Sequence, residues 1–288
     1  MFPIVSKRPL NEAGTVLEYV IKAPLVAKKC LPGQFIVLRL DEHGERVPLT
    51  IADYDREAGT VTIMVQPVGQ TTRMLELMEP GDCLADFVGP MGKPTQIGGQ
   101  KRVCVVGGGV GCAIAYPIAK EMHARGIDVT FIAGFRSADI VILKDELKAV
   151  SDKLIMCTDD GTYGEKGFTT QYLKQEIDAN IAENRPQFDR VIAIGPDIMM
   201  KFLADVTRPY GIKTIISLDP IMVDGTGMCG GCRVIVGGET KFACVDGPDF
   251  DAHEVDFDSL IKRAAFYKEE QDEAAKHICN MTGGKRNG

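Results

Sequence analysis

The sequence predicts a β barrel followed by an α/β domain: an N-terminal antiparallel barrel, a doubly wound parallel sheet, a small cysteine-bearing lobe and a helical tail. Three observations carry this expectation. Short strand-like runs separated by turn residues fill the first third of the chain, a strand–glycine turn–helix–strand unit follows, and a tight group of cysteines lies near the C-terminus. The expected segments are 1–97 for the barrel, 98–218 for the α/β domain, 219–257 for the lobe and 258–288 for the tail.

The barrel rests on "GTVLEYVIKA", "GQFIVLRL", "VPLTIAD", "GTVTIMVQPV" and "GDCLADFVGP", five or six short strands with one helical interruption, "TTRMLELM", at 71–78. The pattern then changes to "RVCVVGGGVGCAIAYPIAKEMHARG" and "DVTFIAGF", a buried strand, a glycine turn, a helix and a second buried strand, which is a parallel βαβ unit. "KLIMCTDD", "RVIAIG" and "KTIISL" continue the sheet, alternating with the helical segments "TTQYLKQEIDANIAEN" and "PDIMMKFLADVTRPYG". In the tail, Leu260, Ile261, Ala264, Ala265 and Tyr267 recur at helical spacing behind an aspartate or serine cap. Such a helix either closes on its own chain or docks on a partner subunit.

Composition excludes several classes of function. At 288 residues, 45% hydrophobic and 25% charged, the chain can bury a core and form two domains. A net charge of -7 without a basic block gives no electrostatic footprint for nucleic acid. No apolar run approaches the roughly 20 residues that span a bilayer, and residues 1–10 lack the plan of a secretory signal, so no membrane partner and a cytoplasmic location are expected. Nine cysteines in such a chain imply reduced thiols, put to metal or redox use where they cluster. Only Cys229, Cys232 and Cys244 do. Cys30, Cys83, Cys104, Cys112, Cys157 and Cys279 are scattered, and four of them sit in apolar stretches as small hydrophobes.

In "VVGGGVGCAIAYP", Gly107, Gly108, Gly109, Val110 and Gly111 follow a buried strand and open a helix. Glycine lets the backbone turn sharply and approach a pyrophosphate, while the helix start offers free N–H groups. This context points to a dinucleotide; the alternative is a turn packed only against the sheet. Three further turns lie at predicted strand ends, where open α/β sheets bind ligands: "GFRS" with Gly134 and Arg136, "DDGTYG" with Asp160, and "GPDIMM" with Gly195, Pro196 and Met199. Arg136 could contact a ribose phosphate, which leaves NADP open beside NAD(H), the preferred choice.

The cysteine group reads Asp-x4-Cys-x2-Cys-x11-Cys, with Asp224, Cys229, Cys232 and Cys244 as candidate metal ligands. Plant-type two-iron clusters use Cys-x4-Cys-x2-Cys and a distant fourth Cys, so an aspartate stands here in the first position. "RVIVGGETKFAC" reads as a hairpin turning at Gly237 and Gly238 that returns Cys244 to the loop. Zinc also accepts three cysteines and a carboxylate, but its structural sites usually pair their ligands in two close-spaced couples. Asp224, lying before glycine, also suits a turn.

These motifs together resemble a family, and the likeness covers the whole chain. It is the ferredoxin reductase-like electron-transfer subunits, which include those of dihydroorotate dehydrogenase, sulfide dehydrogenase and NADH-dependent reduced ferredoxin:NADP oxidoreductase. "PGQF" and "RVPLTIAD" resemble the family's flavin strand, which implies FAD contacts at Arg46, Val47, Pro48, Leu49 and Thr50. "MVQPVGQTT" resembles its second flavin segment, implying contacts at Met64, Val65, Gln66, Gly69, Thr71 and Thr72, with Thr71 replacing a glycine of the Gly-x-Gly-Thr turn. "GGGVGCAIAYP" resembles the nicotinamide-nucleotide turn and "CVDGP" the close of the cluster motif.

The resemblance implies FAD, NAD(H) and a 2Fe-2S cluster, and a larger flavin and iron–sulfur partner subunit in a heterodimer. Asp224 and the long tail resemble the bifurcating ferredoxin:NADP oxidoreductase members, in which the partner handles NADPH and ferredoxin. Sulfide or dihydroorotate chemistry in the partner is the alternative, and a nucleotide-binding regulatory module with structural zinc a distant one. Hydride exchange between nicotinamide and flavin requires no acid or base, so no catalytic side chain is assigned.

Overall fold

A computed structural model of the chain describes residues 1–266. Seven strands, β1 (Phe2–Pro9), β2 (Leu17–Lys22), β3 (Phe35–Arg39), β4 (Val47–Asp55), β5 (Thr60–Val65), β6 (Cys83–Leu84) and β7 (Asp86–Met91), form an antiparallel sheet in the order β6-β1-β2-β5-β4-β3-β7. β6 and β7 stand at opposite edges, yet only Ala85 separates them, and its N–H donates to the carbonyls of Arg39 and Leu40. The two edges are therefore neighbours, and the sheet is rolled into a nearly closed barrel.

Alternation fills its interior: Leu17, Tyr19 and Ile21 of β2 and Val61, Ile63 and Val65 of β5 all point inward. Two short helices, α1 (Pro24–Ala27) and α2 (Gln70–Leu77), belong to this part, and Tyr19 donates its hydroxyl to the carbonyl of Leu75 at 3.0 Å. β1 is absent from the strands expected above. Its prolines, Pro3 and Pro9, lack N–H donors and its C-terminal half carries Lys7 and Arg8, so pairing with β2 and β6 rather than local pattern makes it a strand.

The second sheet comprises β8 (Arg102–Gly108), β9 (Asp128–Phe135), β10 (Lys153–Thr158), β11 (Glu165–Lys166), β12 (Arg190–Ile194) and β13 (Thr214–Ser217). Its helices are α3 (Gly111–Ala124), α4 (Lys144–Ala149), α5 (Thr169–Ala182) and α6 (Asp197–Thr207). The order β11-β10-β9-β8-β12-β13 is parallel throughout and reverses direction at β8, the doubly wound plan.

The lobe contributes the hairpin β14 (Arg233–Val236) and β15 (Glu239–Phe242), the turn of helix α7 (Ala243–Asp246) and β16 (Asp249–Asp251), followed by α8 (Phe257–Ala264). β16 pairs antiparallel with β13 and becomes the last strand of the nucleotide sheet, so the 219–257 segment is stitched into that sheet. One apolar core also joins all three parts, running from Phe35 and Val37 of the barrel through Met200 and Leu203 of α6 to Cys232, Val234 and Cys244. α8 bears out the expected helix as far as the description extends. Asp256 caps it by accepting the Ser259 N–H at 3.0 Å, and Phe257 and Leu260 are buried. Tyr267 and Cys279 lie outside the described residues. Among the described residues no helix is long and apolar enough to cross a membrane.

Candidate functional site

The sheet brings three of the predicted turns to one edge. Gly108 is in register with Gly134, Gly107 pairs with Ile194, and Gly195 follows directly, so the glycines at the ends of β8, β9 and β12 line up at the reversal point. Each has a packing reason. A Cβ on Gly107 would sit 2.7 Å from Cys112 Sγ, and one on Gly108 would sit 2.5 Å from Met199 Sδ. On Gly111 it would run into the carbonyl oxygen of Ile194, which lets α3 pack closely on the sheet. Gly109 has φ +56°, the left-handed turn from strand into helix.

A cavity of about 1290 Å³ opens at this edge. Of the expected nucleotide residues, Gly108, Gly109, Val110, Gly111, Gly134, Arg136, Gly195, Pro196 and Met199 line it, as do Pro48, Leu49, Thr50 and Gln66 from the expected flavin set. Gly107 lies beneath, and Asp160 stands apart, exposed, with Oδ1 accepting from the Thr162 N–H at 2.9 Å and its hydroxyl at 2.7 Å. Those bonds hold the Asp160 carboxyl below its usual range.

The rest of the expected flavin set, Val47, Met64, Val65, Arg46, Gly69, Thr71 and Thr72, does not line the cavity. Arg46 Nε donates to the carbonyl of Val223 at 2.9 Å, tying the expected flavin segment to the cysteine loop. Thr71 Oγ1 donates to Glu45 Oε2 at 2.6 Å. Thr72 Oγ1 accepts the N–H groups of Val68 (3.1 Å) and Gly69 (3.0 Å), bracing the turn that opens α2.

The far wall was not foreseen. Asp197 and Asp219 both line the cavity. Burial, and then the charge of Asp219, push the Asp197 carboxyl up to about 6. Asp219 opens onto the cavity but is crowded by protein, and that desolvation raises it too. Phe168, Ile198 and Phe202 expose apolar surface along the same space. Arg263 of α8 also lines it, which no local signal could disclose because α8 must first fold back. Asp197 and Ile198 do lie within the "GPDIMM" turn already singled out.

The cysteine loop meets the cavity at Gly231. The hairpin turns at Gly237 (φ +60°) and Gly238 (φ +78°) and returns Cys244 to Cys232, with sulfurs 3.2 Å apart. That is far beyond a bond of about 2.05 Å. Both are buried, while Cys229 is exposed and accepts the Gly231 N–H on Sγ at 3.4 Å. Burial, then contact with Cys232, pushes the Cys244 thiol up.

Asp224 is held by backbone and meets one thiol: Oδ1 accepts the Thr226 N–H at 2.9 Å and Oδ2 the Cys229 N–H at 2.8 Å, and these bonds together with the Cys229 side chain hold its carboxyl below the usual range. Among the described residues no three His, Cys, Asp or Glu side chains converge as a metal site. The donors nonetheless suit an iron–sulfur group. Two thiols are already in contact, a third lies on the same loop, and backbone N–H groups point at two of the sulfurs. Of the scattered cysteines, Cys30, Cys104, Cys112 and Cys157 are buried, with their thiols raised by desolvation, and Cys83 is partly exposed.

Comparison with known proteins agrees with this arrangement. Residues 219–256 match the iron-sulfur cluster binding domain of dihydroorotate dehydrogenase B. A dihydroorotate dehydrogenase B (NAD(+)) electron transfer subunit homolog of Thermotoga maritima is 48% identical over 271 residues, 94% of each chain. The electron transfer subunit of that enzyme from Bacillus velezensis is 33% identical, covering 84% of this chain and 94% of its own. A solved structure of the NADH-dependent reduced ferredoxin-NADP oxidoreductase, studied for flavin-based electron bifurcation, contains a chain 45% identical with a TM-score of 0.88, covering 96% of this chain and 98% of that one. The chain therefore belongs to the family of dihydroorotate dehydrogenase B electron-transfer subunits and their homologues, with the ferredoxin reductase-like fold.

Proposed function

We propose that this chain is the electron-transfer subunit of an electron-bifurcating NADH-dependent ferredoxin:NADP oxidoreductase, linking NAD(H) to a larger flavin and iron–sulfur partner. FAD and a 2Fe-2S cluster supply the conversion between the electron pair of nicotinamide and single electrons. The chain's own residues position these groups. The barrel to residue 97 holds the flavin, through residues 46–50, residues 64–66 and the turn at Gly69, Thr71 and Thr72. The 98–218 segment holds NAD(H), through residues 107–111, Gly134, Arg136, Asp160, Gly195, Pro196 and Met199. The 219–257 segment holds the cluster, through Asp224, Cys229, Cys232 and Cys244, and α8, where the tail begins, packs against α6 and β14.

The observation that carries this reading is the one cavity bounded at once by the barrel (Pro48, Thr50), the glycine turn (Gly108, Gly111) and the cysteine loop (Gly231). A space shared in that way lets a two-electron carrier, a flavin and a one-electron centre meet within one subunit. A surface for the partner is supported at the loop, where Val223, Met228 and Val245 are exposed beside the exposed Cys229.

The bifurcating reading is supported by Asp224 and by the 45% identity to the ferredoxin-NADP oxidoreductase chain, while the 48% identity to a dihydroorotate dehydrogenase B electron transfer subunit homolog supports dihydroorotate chemistry as the second reading. The match of residues 219–256 to a dihydroorotate dehydrogenase domain supports that second reading. Co-purification of the partner and an anaerobic assay with NADPH, NAD and ferredoxin decides between them: ferredoxin reduction dependent on NAD is expected, and dihydroorotate oxidation instead would establish the second. A purified chain without flavin absorbance or iron would refute both and leave a zinc-bearing regulatory module.

A further inference from the structure

Arg263 touches two sites at once. It lines the cavity, and its Nη2 donates to the carbonyl of Gly231 at 3.1 Å, within the loop between Cys229 and Cys232. Among the described residues, Arg136 and Arg263 are the cations that line this cavity, and only Arg263 bonds to the cysteine loop. Its position is held by the helix it stands on. Leu260 and Phe257 are buried against the shared core, and Lys201 of α6 pairs with Asp258 at 2.7 Å. α6 itself begins at the cavity wall, at Asp197. A second guanidinium, Arg233, reaches the neighbouring carbonyl of Gly230 at 3.2 Å from outside the cavity.

We propose that Arg263 couples nucleotide occupancy of the cavity to the redox state of the cysteine loop. The proposal rests on the reading above, in which the loop holds a 2Fe-2S cluster and the cavity takes NAD(H) beside the flavin. A cation beside the loop favours the reduced state, which carries one more negative charge. An anionic nucleotide in the cavity draws on the same cation and adds its own negative charge, so binding lowers the cluster's potential. By linkage the reverse holds to the same factor: reduction of the cluster weakens nucleotide binding. NADH, one charge more negative than NAD, lowers the potential further. A subunit still holding its product is thereby poorly disposed to accept the next electron.

ADP-ribose tests this, because it carries the pyrophosphate and takes no hydride. In the holo-complex, the midpoint potential of the 2Fe-2S signal is titrated by electron paramagnetic resonance with and without saturating ADP-ribose, whose binding to oxidised and to reduced protein is followed separately by titration calorimetry. The potential is expected to fall, and ADP-ribose to bind about threefold to tenfold more weakly to reduced protein, tenfold corresponding to about 59 mV for one electron.

Arg263→Gln is expected to lower the ligand-free potential and remove more than half of the ADP-ribose effect, while Arg263→Lys keeps most of it. Arg233→Gln, which also removes a guanidinium from the loop, is expected to lower the ligand-free potential and leave the ADP-ribose effect whole. No shift in wild type that has both the cluster signal and bound ADP-ribose overturns the proposal, and so does a full shift in Arg263→Gln or its loss in Arg233→Gln. Lack of the signal, or of ADP-ribose binding, overturns instead the underlying assignment of the loop or cavity. Should Arg263→Gln fail to retain the cluster, the wild-type shift together with Arg263→Lys and Arg233→Gln still decides.

Discussion

Lys120 Nζ on α3 donates to Asp53 Oδ2 on β4 at 2.7 Å, and this ion pair, outside the cavity itself, ties together two elements that each contribute to its lining. β4 carries Pro48, Leu49 and Thr50 at its cavity end, and α3 begins with Gly111 at the other wall. The pair is part-exposed, so it is worth no more than about 1 kcal/mol of stability, but an error of about 1 Å between reacting groups can cost as much as 100-fold in rate. Lys120→Met is expected to unfold within a few degrees of wild type while slowing flavin reduction by NADH roughly 3- to 30-fold in stopped-flow traces. The exchanged pair Asp53→Lys with Lys120→Asp should recover part of that rate. An unchanged rate in Lys120→Met would show that other contacts set the geometry.

Gly111 and Gly109 separate packing from turn conformation. Gly111→Ala drives a methyl into the Ile194 carbonyl and to within 2.9 Å of Gly195 Cα, so α3 must lift from the sheet. The expected result is a loss of about 1–3 kcal/mol in urea unfolding, together with loss of ADP-ribose binding. At Gly109 an added methyl meets nothing within 4 Å, and the φ of +56° alone opposes it. Gly109→Ala should therefore cost about 1 kcal/mol, and its binding defect should exceed its stability defect. Equal stability losses in the two variants would contradict this division.

Asp249 sets a pH dependence of stability. Burial pushes its carboxyl up to about 6, against the lowering effects of the Thr95 hydroxyl, which donates to it at 2.6 Å, of Ser217 and of the Arg190 cation. An unfolded aspartate titrates near 3.8, so between that value and about 6 the folded chain holds the extra proton. Stability from this group is present below the unfolded value and is lost as pH rises through about 6. Asp249→Asn should remove roughly 2–3 kcal/mol of difference between pH 4 and pH 7 unfolding curves. Asp197, raised in the same sense, leaves a residual slope in that variant. Identical slopes in wild type and Asp249→Asn would clear Asp249 of this role.

Asp224 has a turn role and a proposed ligand role, and two variants divide them. Asp224→Ala removes acceptors from the N–H groups of Thr226 and Cys229, so iron and sulfide content should fall. Asp224→Cys restores a thiolate donor, which gives iron more electron density than a carboxylate does, and is expected to lower the cluster's potential. An unchanged or higher potential in the cysteine variant argues against ligation by Asp224.

Features with local causes are legible in the residues themselves. The glycines at 107–111 are needed locally, for a left-handed turn and for close helix packing, and such demands are written in residue type. The same holds for the Gly237–Gly238 hairpin, whose short-range geometry returns Cys244 to Cys232 without help from the rest of the fold. Less legible are elements that depend on distant partners. β1 carries two prolines and reads as loop until β2 and β6 pair with it, and β16 becomes a strand only because β13 offers an open edge. Arg46 stands in the expected flavin strand but is bonded to Val223, a contact across 177 positions that no spacing rule anticipates.

By itself, then, the sequence determined the fold class, the glycine turn and the spacing of the thiols, because backbone period and side-chain size act over a few residues. Only the tertiary structure decided that barrel, glycine turn and cysteine loop share one cavity, that Asp197 and Asp219 crowd its far wall, and that Arg263 reaches from that cavity to Gly231. Those relationships arise from strand order and from a core common to all three parts, and both are set by which distant apolar faces bury one another.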